Sequence, residues 1–393
     1  MNALKWLWSY AKEYKFSIFF CVLLTVVFVT CAFMTPIIPG LIVDEVIIGK
    51  KYELLLSYCI ALILFNLLKD IILYVRHFTY EMVSQSVIKN VRNKLYGKLQ
   101  EMDCSYFDRT RKGDIMSRMT MDTDAIRIVL SSTFPSLTDQ IFFVIVGLAI
   151  MFSTNVLLTV LLLITSPFIA VFAYFLAKYI KLDFLKMRES NSHLNTVVTE
   201  NISGNRVVKA YAREEYEIKK FEEKNEEYKA SFMGHVYTWA KYAPNMLFFV
   251  NLTSVIFIVI GGILVLKGKI TVGEFTIFNG CLWSITSPMS SVGNFINQFQ
   301  QFNASSVKIR ELENEESLIK NREVKKRDTG LAGKIEFKNV IFSYDNDRVL
   351  KYINFSANPG DTVAIVGPTG SGKTTLINLL SRFYDPSYGT IYI

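Results

Sequence analysis

The stretch that decides the fold of the C-terminal region reads Val363-Ala-Ile-Val366-Gly367-Pro368-Thr369-Gly370-Ser371-Gly372-Lys373-Thr374-Thr375-Leu-Ile-Asn-Leu-Leu380. The segment from Val363 to Val366 predicts a short buried strand, and the run from Thr375 to Leu380 predicts a helix. The residues between them fit the pattern G-x-x-x-x-G-K-[ST], which binds phosphates when it joins a strand to a helix. The stretch therefore predicts the phosphate-binding loop of an α/β nucleotide-binding domain.

Each residue type in this loop has a chemical reason. Glycines let backbone N–H groups approach a phosphate, and the N-terminus of the following helix adds positive potential. Lys373 is placed to reach the β- and γ-phosphates, and the Thr374 hydroxyl is placed to coordinate Mg²⁺. The pattern by itself does not separate ATPases from GTPases. The predicted nucleotide-binding residues of the loop are Gly367, Pro368, Thr369, Gly370, Ser371, Gly372, Lys373, Thr374 and Thr375.

The rest of the chain has the composition of a membrane protein. Of its 393 residues, 51% are apolar and 20% are charged, against about 25% charged in a soluble domain. This balance argues against an ordinary soluble enzyme, a disordered chain and a secreted disulfide scaffold. A bilayer core of about 30 Å needs roughly 20 apolar residues in a helix. Runs of this kind predict six spans, at Phe16–Ile38, Leu54–Tyr74, Phe134–Phe152, Val156–Ala177, Met246–Leu266 and Phe275–Phe295.

Lysine and arginine predict the orientation of these spans. Residues 75–130 hold ten of them and residues 178–242 hold twelve, whereas the alternate loops hold two or none. Since basic residues concentrate in cytoplasmic loops, both termini are expected in the cytoplasm of a multi-pass protein of the cell membrane. The same asymmetry explains most of the net charge of +8, so no nucleic-acid partner is expected.

The two basic segments have the composition of helical hairpins. Residues 75–104 and 178–232 are rich in helix formers and poor in glycine and proline, so the adjoining spans should continue as helices into the cytoplasm. Glycine-containing breaks predict a turn at Gly113-Asp114 in the first hairpin and a break at Ser203-Gly204-Asn205 in the second.

Motifs in these hairpins resemble the two intracellular loops of ATP-binding cassette (ABC) exporters. The first loop is matched by Tyr106-Phe107-Asp108, Gly113-Asp114, Ser117-Arg118 and Asp122-Thr-Asp124-Ala-Ile126. The second is matched by Glu200, Gly204, Arg206, Val208-Lys209-Ala210-Tyr211 and Glu214. In that family these loops end in short coupling helices that sit in grooves on the nucleotide-binding domains.

The C-terminal region is similar to the same family. Ser371 and Thr375 complete a Gly-Ser-Gly-Lys-Thr-Thr string typical of ABC proteins, and the segment from Leu379 to Pro386 resembles the residues after the phosphate-binding loop in exporters. Phe342-Ser-Tyr344 resembles the adenine-stacking segment, which implies that Tyr344 stacks on the base of a bound ATP. The alternative for Tyr344 is an aromatic residue at a strand end that packs on the core.

The resemblance implies a mostly α membrane protein. Residues 1–310 would form the six-helix transmembrane domain of an ABC exporter with long cytoplasmic helical extensions, and residues 311–332 a linker. Residues 333–393 would form the N-terminal part of the P-loop α/β ATPase domain. The catalytic glutamate, the signature sequence and the switch histidine of the family would lie beyond residue 393. No catalytic residue is therefore predicted within the chain, and a fragment ending here is expected to lack ATPase activity.

The function implied by the resemblance is ATP-driven export or flipping of a drug, lipid or peptide across the bilayer. The chain would act as a half-transporter, in a homodimer or in a heterodimer with a related half-transporter, with ATP and Mg²⁺ as cofactors. Two alternatives stay open, namely a degenerate half of a heterodimeric exporter and a regulatory membrane protein that binds ATP without pumping. Polar residues within spans are weaker candidates for substrate contact, namely Lys69, Asp70, Asp139, Gln140, Asn294, Asn297 and Gln298.

Overall fold

The computed structural model describes residues 3–319, 333–344 and 347–393. The predicted linker lies partly outside these ranges, because residues 320–332 are not described. The helices are α1 (Ala3–Ala11), α2 (Lys15–Leu41), α3 (Leu54–Glu101), α4 (Cys104–Arg109), α5 (Lys112–Ser117), α6 (Thr123–Ile128), α7 (Phe134–Thr154), α8 (Val156–Leu163), α9 (Ser166–Ala210), α10 (Glu214–Leu266), α11 (Val272–Cys281), α12 (Trp283–Asn314) and α13 (Lys373–Leu380). The strands are β1 (Ile335–Tyr344), β2 (Asp347–Ala357) and β3 (Tyr388–Tyr392).

Within the described ranges, five helical segments are long and apolar enough to cross a membrane. They are Ala3–Ile48, Leu54–Glu101, Lys112–Thr154, Val156–Ala210 and Glu214–Leu266, and they contain the first five predicted spans. The sixth predicted span, Phe275–Phe295, extends over parts of α11 and α12, with a break at Leu282. The sixth span therefore stays a prediction, whereas the expected mostly helical architecture followed by a small sheet is confirmed.

The described chain divides into two compact units. The membrane unit comprises Ala11–Gln85 and Arg127–Gln301, and the cassette unit comprises Met1–Tyr10, Ser86–Ile126 and Phe302–Ile393. The long helices α3 and α12 each contribute residues to both units.

Aromatic packing and close helix approach build the membrane unit. The Trp283 ring lies 4.5 Å from that of Phe143 in an edge-to-face contact. Helix α2 packs on α11 through glycines, since a Cβ atom on Gly273 would overlap the carbonyl oxygen of Gly40. A Cβ atom on Gly280 would likewise overlap the Pro36 side chain. Small residues at helix contacts allow backbones to approach closely in a membrane, where the hydrophobic effect does not drive helices together.

An ion pair joins α3 to α7 within the membrane unit. Both Nη atoms of Arg76 donate to the Asp139 carboxylate, and Nη1 also donates to Thr25 Oγ1 at 3.0 Å. The guanidinium lies 4.6 Å from the centre of the Phe28 ring, and the Arg76 side chain is only 1% exposed. Bidentate pairing allows a fully charged side chain to be buried in this environment.

The second hairpin consists of α9 and α10, and its turn is not where the sequence placed it. Ser203-Gly204-Asn205 lies inside α9, so the predicted break is wrong. The chain turns instead between α9 and α10, where Ala212 adopts a φ of +47°. One glycine costs a helix about 1 kcal/mol. Packing along α10 can offset this cost, for example through the 2.7 Å hydrogen bond from Asn201 Nδ2 to Glu217 Oε2.

The first hairpin also breaks at a different place. Gly113-Asp114 lies inside α5, so the predicted turn there is wrong. The helical path is interrupted instead around Asp103, between α3 and α4, and at Thr110-Arg111. Asp103 is the N-cap of α4, where its side chain accepts the backbone N–H of Tyr106 at 3.1 Å. Aspartate is among the preferred N-cap residues, because its carboxylate satisfies an otherwise unpaired N–H.

A three-stranded sheet lies at the end of the cassette unit. Its order is β2-β1-β3 with antiparallel pairing throughout, and Phe337 pairs with Phe355 across β1 and β2. Its buried core is formed by Phe337, Val340, Phe342, Leu350, Leu376 and Leu379. The predicted strand at Val363–Val366 is wrong, because these residues are exposed and form no strand. Among the described residues the segment has no strand neighbour, and a central strand is buried only between neighbours.

Candidate nucleotide site

The phosphate-binding loop is positioned by the helix that follows it. Leu376 and Leu379 anchor α13 in the core of the sheet, which leaves Thr374 exposed at the start of the helix. Gly372 precedes α13 with a φ of +88°, and a Cβ atom there would lie 2.7 Å from the Leu350 side chain. Gly370 has a φ of +85°. Glycine is required at both positions by the left-handed backbone, and at Gly372 also by close packing.

The Lys373 side chain closes the loop on itself. Its Nζ atom donates to the carbonyl oxygens of Gly367 at 2.9 Å and Pro368 at 2.8 Å. The backbone N–H of Ser371 donates to the Pro368 carbonyl oxygen at 3.2 Å. An ammonium group has three donors, and an anionic phosphate is a stronger acceptor than a neutral carbonyl. The lysine is therefore held at the loop and is chemically suited to a phosphate.

The two threonines after Lys373 have different environments. Thr374 is exposed at the start of α13, where its hydroxyl can reach a metal ion bound to phosphates. Thr375 is only 7% exposed, so its side chain belongs to the core of the cassette unit. Of the two hydroxyls, that of Thr374 is the accessible one. Within the part of the chain that the structure describes, no cluster of three or more His, Cys, Asp or Glu residues could hold a metal ion.

Tyr344 lies at the end of β1 and is half-buried. Its ring makes edge-to-face contacts with Phe342 at 4.8 Å and with Tyr384 at 5.3 Å. These contacts match the alternative interpretation, in which Tyr344 packs at the edge of the core. The same ring also lines an open cavity of about 660 Å³. The structure thus brings Tyr344 to a cavity beside α4, and its stacking role stays a prediction.

The opposite wall of this cavity comes from the first hairpin, whose contact with the nucleotide-binding domain was implied by the family resemblance but without the residues that make it. The Tyr384 hydroxyl donates to Asp108 Oδ2 at 2.6 Å. Burial, followed by the hydrogen bond to Asp108, raises the pKa of Tyr384. These residues are 276 positions apart, and no sequence pattern pairs them. The hydrogen bond attaches α4 to the segment that follows α13.

Asp103 is the second acidic residue at this wall. Burial by itself raises its pKa, but hydrogen bonds from Ser105, Leu318, Ser317 and Tyr106 outweigh burial and lower the pKa to about 2. The carboxylate is therefore charged at neutral pH. Its position directly before Cys104 is a recognisable N-cap signal, whereas its bonds to residues 317 and 318 have no signal in the sequence.

Comparison with known protein families gives two matches. Residues 18–289 match the model for the ABC transporter transmembrane region, and residues 350–393 match the model for the ABC transporter ATPase domain. The first match covers well over half of the chain. The second begins within β2 and includes the complete phosphate-binding loop.

Individual relatives extend these matches. The uncharacterized ABC transporter ATP-binding protein YknU of Bacillus subtilis is 33% identical over 98% of this chain. The ATP-dependent lipid A-core flippase of Syntrophus aciditrophicus is 30% identical over 89% of the chain. The putative multidrug export ATP-binding/permease protein YgaD of Bacillus subtilis is 27% identical over the whole chain. The chain spans 66%, 58% and 69% of the lengths of these three proteins, respectively.

Proposed function

Because this chain belongs to the ABC exporter family, as a multi-pass membrane region joined to part of an ABC ATPase domain, we propose that it couples ATP hydrolysis to substrate export. The full-length gene product would work as a half-transporter that moves or flips an amphiphilic molecule across the bilayer. The observation that supports this proposal most strongly is the phosphate-binding loop with its Lys373 contacts, on the same chain as the exporter membrane region.

Each residue of the loop has a proposed task. Lys373 exchanges its carbonyl partners for the β- and γ-phosphates, and the N-terminus of α13 presents its N–H groups to the same anion. Thr374 contributes its hydroxyl to Mg²⁺, and Tyr344 stacks on the adenine from the cavity beside α4. Bound Mg²⁺–ATP supplies the phosphoanhydride bond whose hydrolysis drives the cycle.

The proposed assembly is a dimer of half-transporters, either two copies of this chain or this chain with a related one. Both termini would be cytoplasmic, as the distribution of lysine and arginine predicts. The substrate would be a drug, a lipid or a peptide. The names of the relatives refer to lipid A-core, to fatty acids and to multidrug export, which favours amphiphilic molecules.

The test is Lys373→Ala in the full-length gene product, reconstituted in proteoliposomes. Loss of the ammonium should abolish ATP-dependent movement of a fluorescent phospholipid or a cationic dye, and should weaken ATP binding. Lys351→Ala is the matched control, because Lys351 is an exposed lysine on β2 of the same sheet. Undiminished transport by Lys373→Ala would contradict the assignment of this loop.

A further inference from the structure

Asp103 makes more hydrogen bonds than the N-cap of a short helix needs. It is 8% exposed, and its local donors are the Ser105 hydroxyl and the Tyr106 N–H. Its Oδ2 atom accepts two further bonds from a distant segment, the Ser317 hydroxyl at 3.1 Å and the Leu318 N–H at 2.5 Å. The two local hydrogen bonds explain how α4 begins, but the two distant ones do not contribute to capping α4.

The distant donors lie where the chain leaves α12. This helix ends at Asn314, and Ser317 and Leu318 come shortly after it on the way to β1. The carboxylate therefore holds the exit of the last long helix against the junction of α3 and α4. All four donors are neutral groups, so the negative charge comes from Asp103 alone. Its Oδ1 atom accepts the two local donors and its Oδ2 atom the two distant ones, so both oxygen atoms are needed.

The same end of α12 is attached to the first hairpin at two further points. Ser305 donates its hydroxyl to Asp122 Oδ1 at 2.7 Å. The Lys94 ammonium of α3 lies 3.6 Å from the carboxylate of Glu313, which also accepts the Trp6 indole N–H at 2.8 Å. Within the cassette unit, the end of α12 thus contacts the first hairpin through Ser305 and Glu313, and Asp103 adds a contact just after the helix ends.

The other end of α4 reaches the ATPase region. Asp108 accepts the Tyr384 hydroxyl, and Tyr384 follows α13, whose first residue is Lys373 of the phosphate-binding loop. Helix α4 is therefore held at its start to the exit of α12 and near its end to the segment after α13. A short helix held at two points can pass a displacement from one to the other.

We propose that Asp103 is a positioning residue of the transport cycle, which locks the exit of α12 to α4 so that the two move as one body when the nucleotide site changes state. This inference rests on the proposed function of ATP-driven transport. It assigns Asp103 no contact with nucleotide or substrate. Its loss should therefore uncouple transport from hydrolysis, while binding of ATP is retained.

The deciding variant is Asp103→Asn, because asparagine caps helices as well as aspartate does. The single acceptor oxygen of the asparagine can keep the hydrogen bond from the Tyr106 N–H. Its NH₂ group would then face the Leu318 N–H, and because both groups are donors, no hydrogen bond can form there. In the full-length gene product in proteoliposomes, the number of molecules transported per ATP hydrolysed should fall about tenfold, which corresponds to the loss of one hydrogen bond to a charged group. The dissociation constant for ATP should stay within about twofold of the original protein, since Asp103 makes no contact with the loop.

Leu318→Pro tests the same joint from the other side. Proline removes the N–H donor and leaves Asp103 intact, so it should cause the same loss of coupling. Glu316→Pro is the matched control, because Glu316 is exposed in the same segment, and it should keep the original ratio of transport to hydrolysis.

The outcomes separate this inference from the proposed function. If Asp103→Asn and Leu318→Pro keep the original ratio of transport to hydrolysis, Asp103 acts only as a helix cap and the inference is overturned. If Asp103→Asn loses ATP binding together with transport, the inference is also overturned, because the joint would then be needed for folding of the nucleotide site. If the unmodified protein shows no ATP-dependent transport, and Lys373→Ala changes nothing, the proposed function itself fails.

Discussion

The two helical hairpins of this chain differ in the structure of their tips and in the side chains that the tips present. The tip of the first is divided into the short helices α4, α5 and α6, and its carboxylates at Asp103, Asp108 and Asp122 all accept hydrogen bonds from the same chain. The second is formed by helices of 45 and 53 residues. Its tip presents Ile202 and Tyr211, which are 74% and 75% exposed.

This difference indicates what each tip is built to contact. The broken first tip uses these three carboxylates for contacts within the chain, and its most exposed apolar side chains are those of Met116 and Met121, at 61% and 73%. An unbroken hairpin with exposed aromatic and aliphatic residues at its tip is typical of a surface that is covered by a partner. In the proposed dimer, the partner for the second hairpin would be the ATPase domain of the second half-transporter.

The largest effect on transport is expected at the tip of the second hairpin. Tyr211→Ala should reduce ATP-dependent transport by about tenfold or more, because a central aromatic residue of an interface contributes about 2 kcal/mol. The midpoint of thermal unfolding should not change, since the ring is 75% exposed. Transport is measured in proteoliposomes, with Tyr237→Ala as control, because Tyr237 is 67% exposed on α10 away from the tip. Equal effects of the two variants would show that the tip of the second hairpin has no special role in transport.

The largest effect on stability is expected at the ion pair that holds the first hairpin together in the membrane unit. Asp139→Asn should lower the free energy of unfolding by about 3 kcal/mol, because it leaves the Arg76 guanidinium buried without its counter-charge. The double variant Arg76→Met/Asp139→Leu should be closer to the original protein than either single variant. Both are measured by thermal unfolding in nanodiscs.

Asp70→Asn is the control for this ion pair. Asp70 also lies within a predicted span, but its contact with Lys69 is 3.7 Å long and its side chain is 67% exposed. This contact joins neighbouring residues of α3 and holds no second helix, so the control should change stability less than Asp139→Asn does. If Asp70→Asn destabilised the protein as much as Asp139→Asn, the buried pair would have no special role in the first hairpin.

The two hairpins also show what the sequence could and could not reveal. The phosphate-binding loop was predictable, because Gly370, Gly372 and Lys373 form a continuous pattern whose backbone and charge requirements are local. The strand at Val363–Val366 was predicted wrongly, because its burial depends on neighbouring strands rather than on its own residues. The breaks at Gly113 and Gly204 were also misplaced, since packing along a helix outweighs the weak local preference of glycine.

The contacts that define the first tip were outside the reach of sequence reasoning. Asp103 has the local signal of an N-cap, but its bonds to Ser317 and Leu318 join residues that are more than 200 positions apart. Tyr384 and Asp108 were each part of a recognised motif, yet nothing in either motif indicates that they meet. The sequence therefore predicted the local chemistry of the site and the class of fold. The residues through which the first tip contacts distant parts of the chain could be identified only from the structure.

The smallest effect is expected from the neutral hydrogen bonds of the second hairpin. The Thr165 and Thr253 hydroxyls lie 2.7 Å apart, and their side chains are almost fully buried. Thr165→Val keeps the shape of the side chain and removes one hydroxyl, which should lower the free energy of unfolding by about 0.6–1 kcal/mol, the usual range for such bonds between membrane helices.

The partner variant Thr253→Val sharpens this last comparison. Each threonine hydroxyl also lies within hydrogen-bond distance of a backbone carbonyl, that of Leu162 or Phe249, so each can donate there when the other hydroxyl is lost. The double variant should then cost less than the sum of the single ones, because the bond between the two hydroxyls is lost only once. In Asp139→Asn, by contrast, the buried guanidinium of Arg76 has no such local substitute for the lost carboxylate. A loss of about 3 kcal/mol or more from Thr165→Val would show that neutral bonds hold the second hairpin as firmly as the ion pair holds the first, and that the hairpins differ only at their tips.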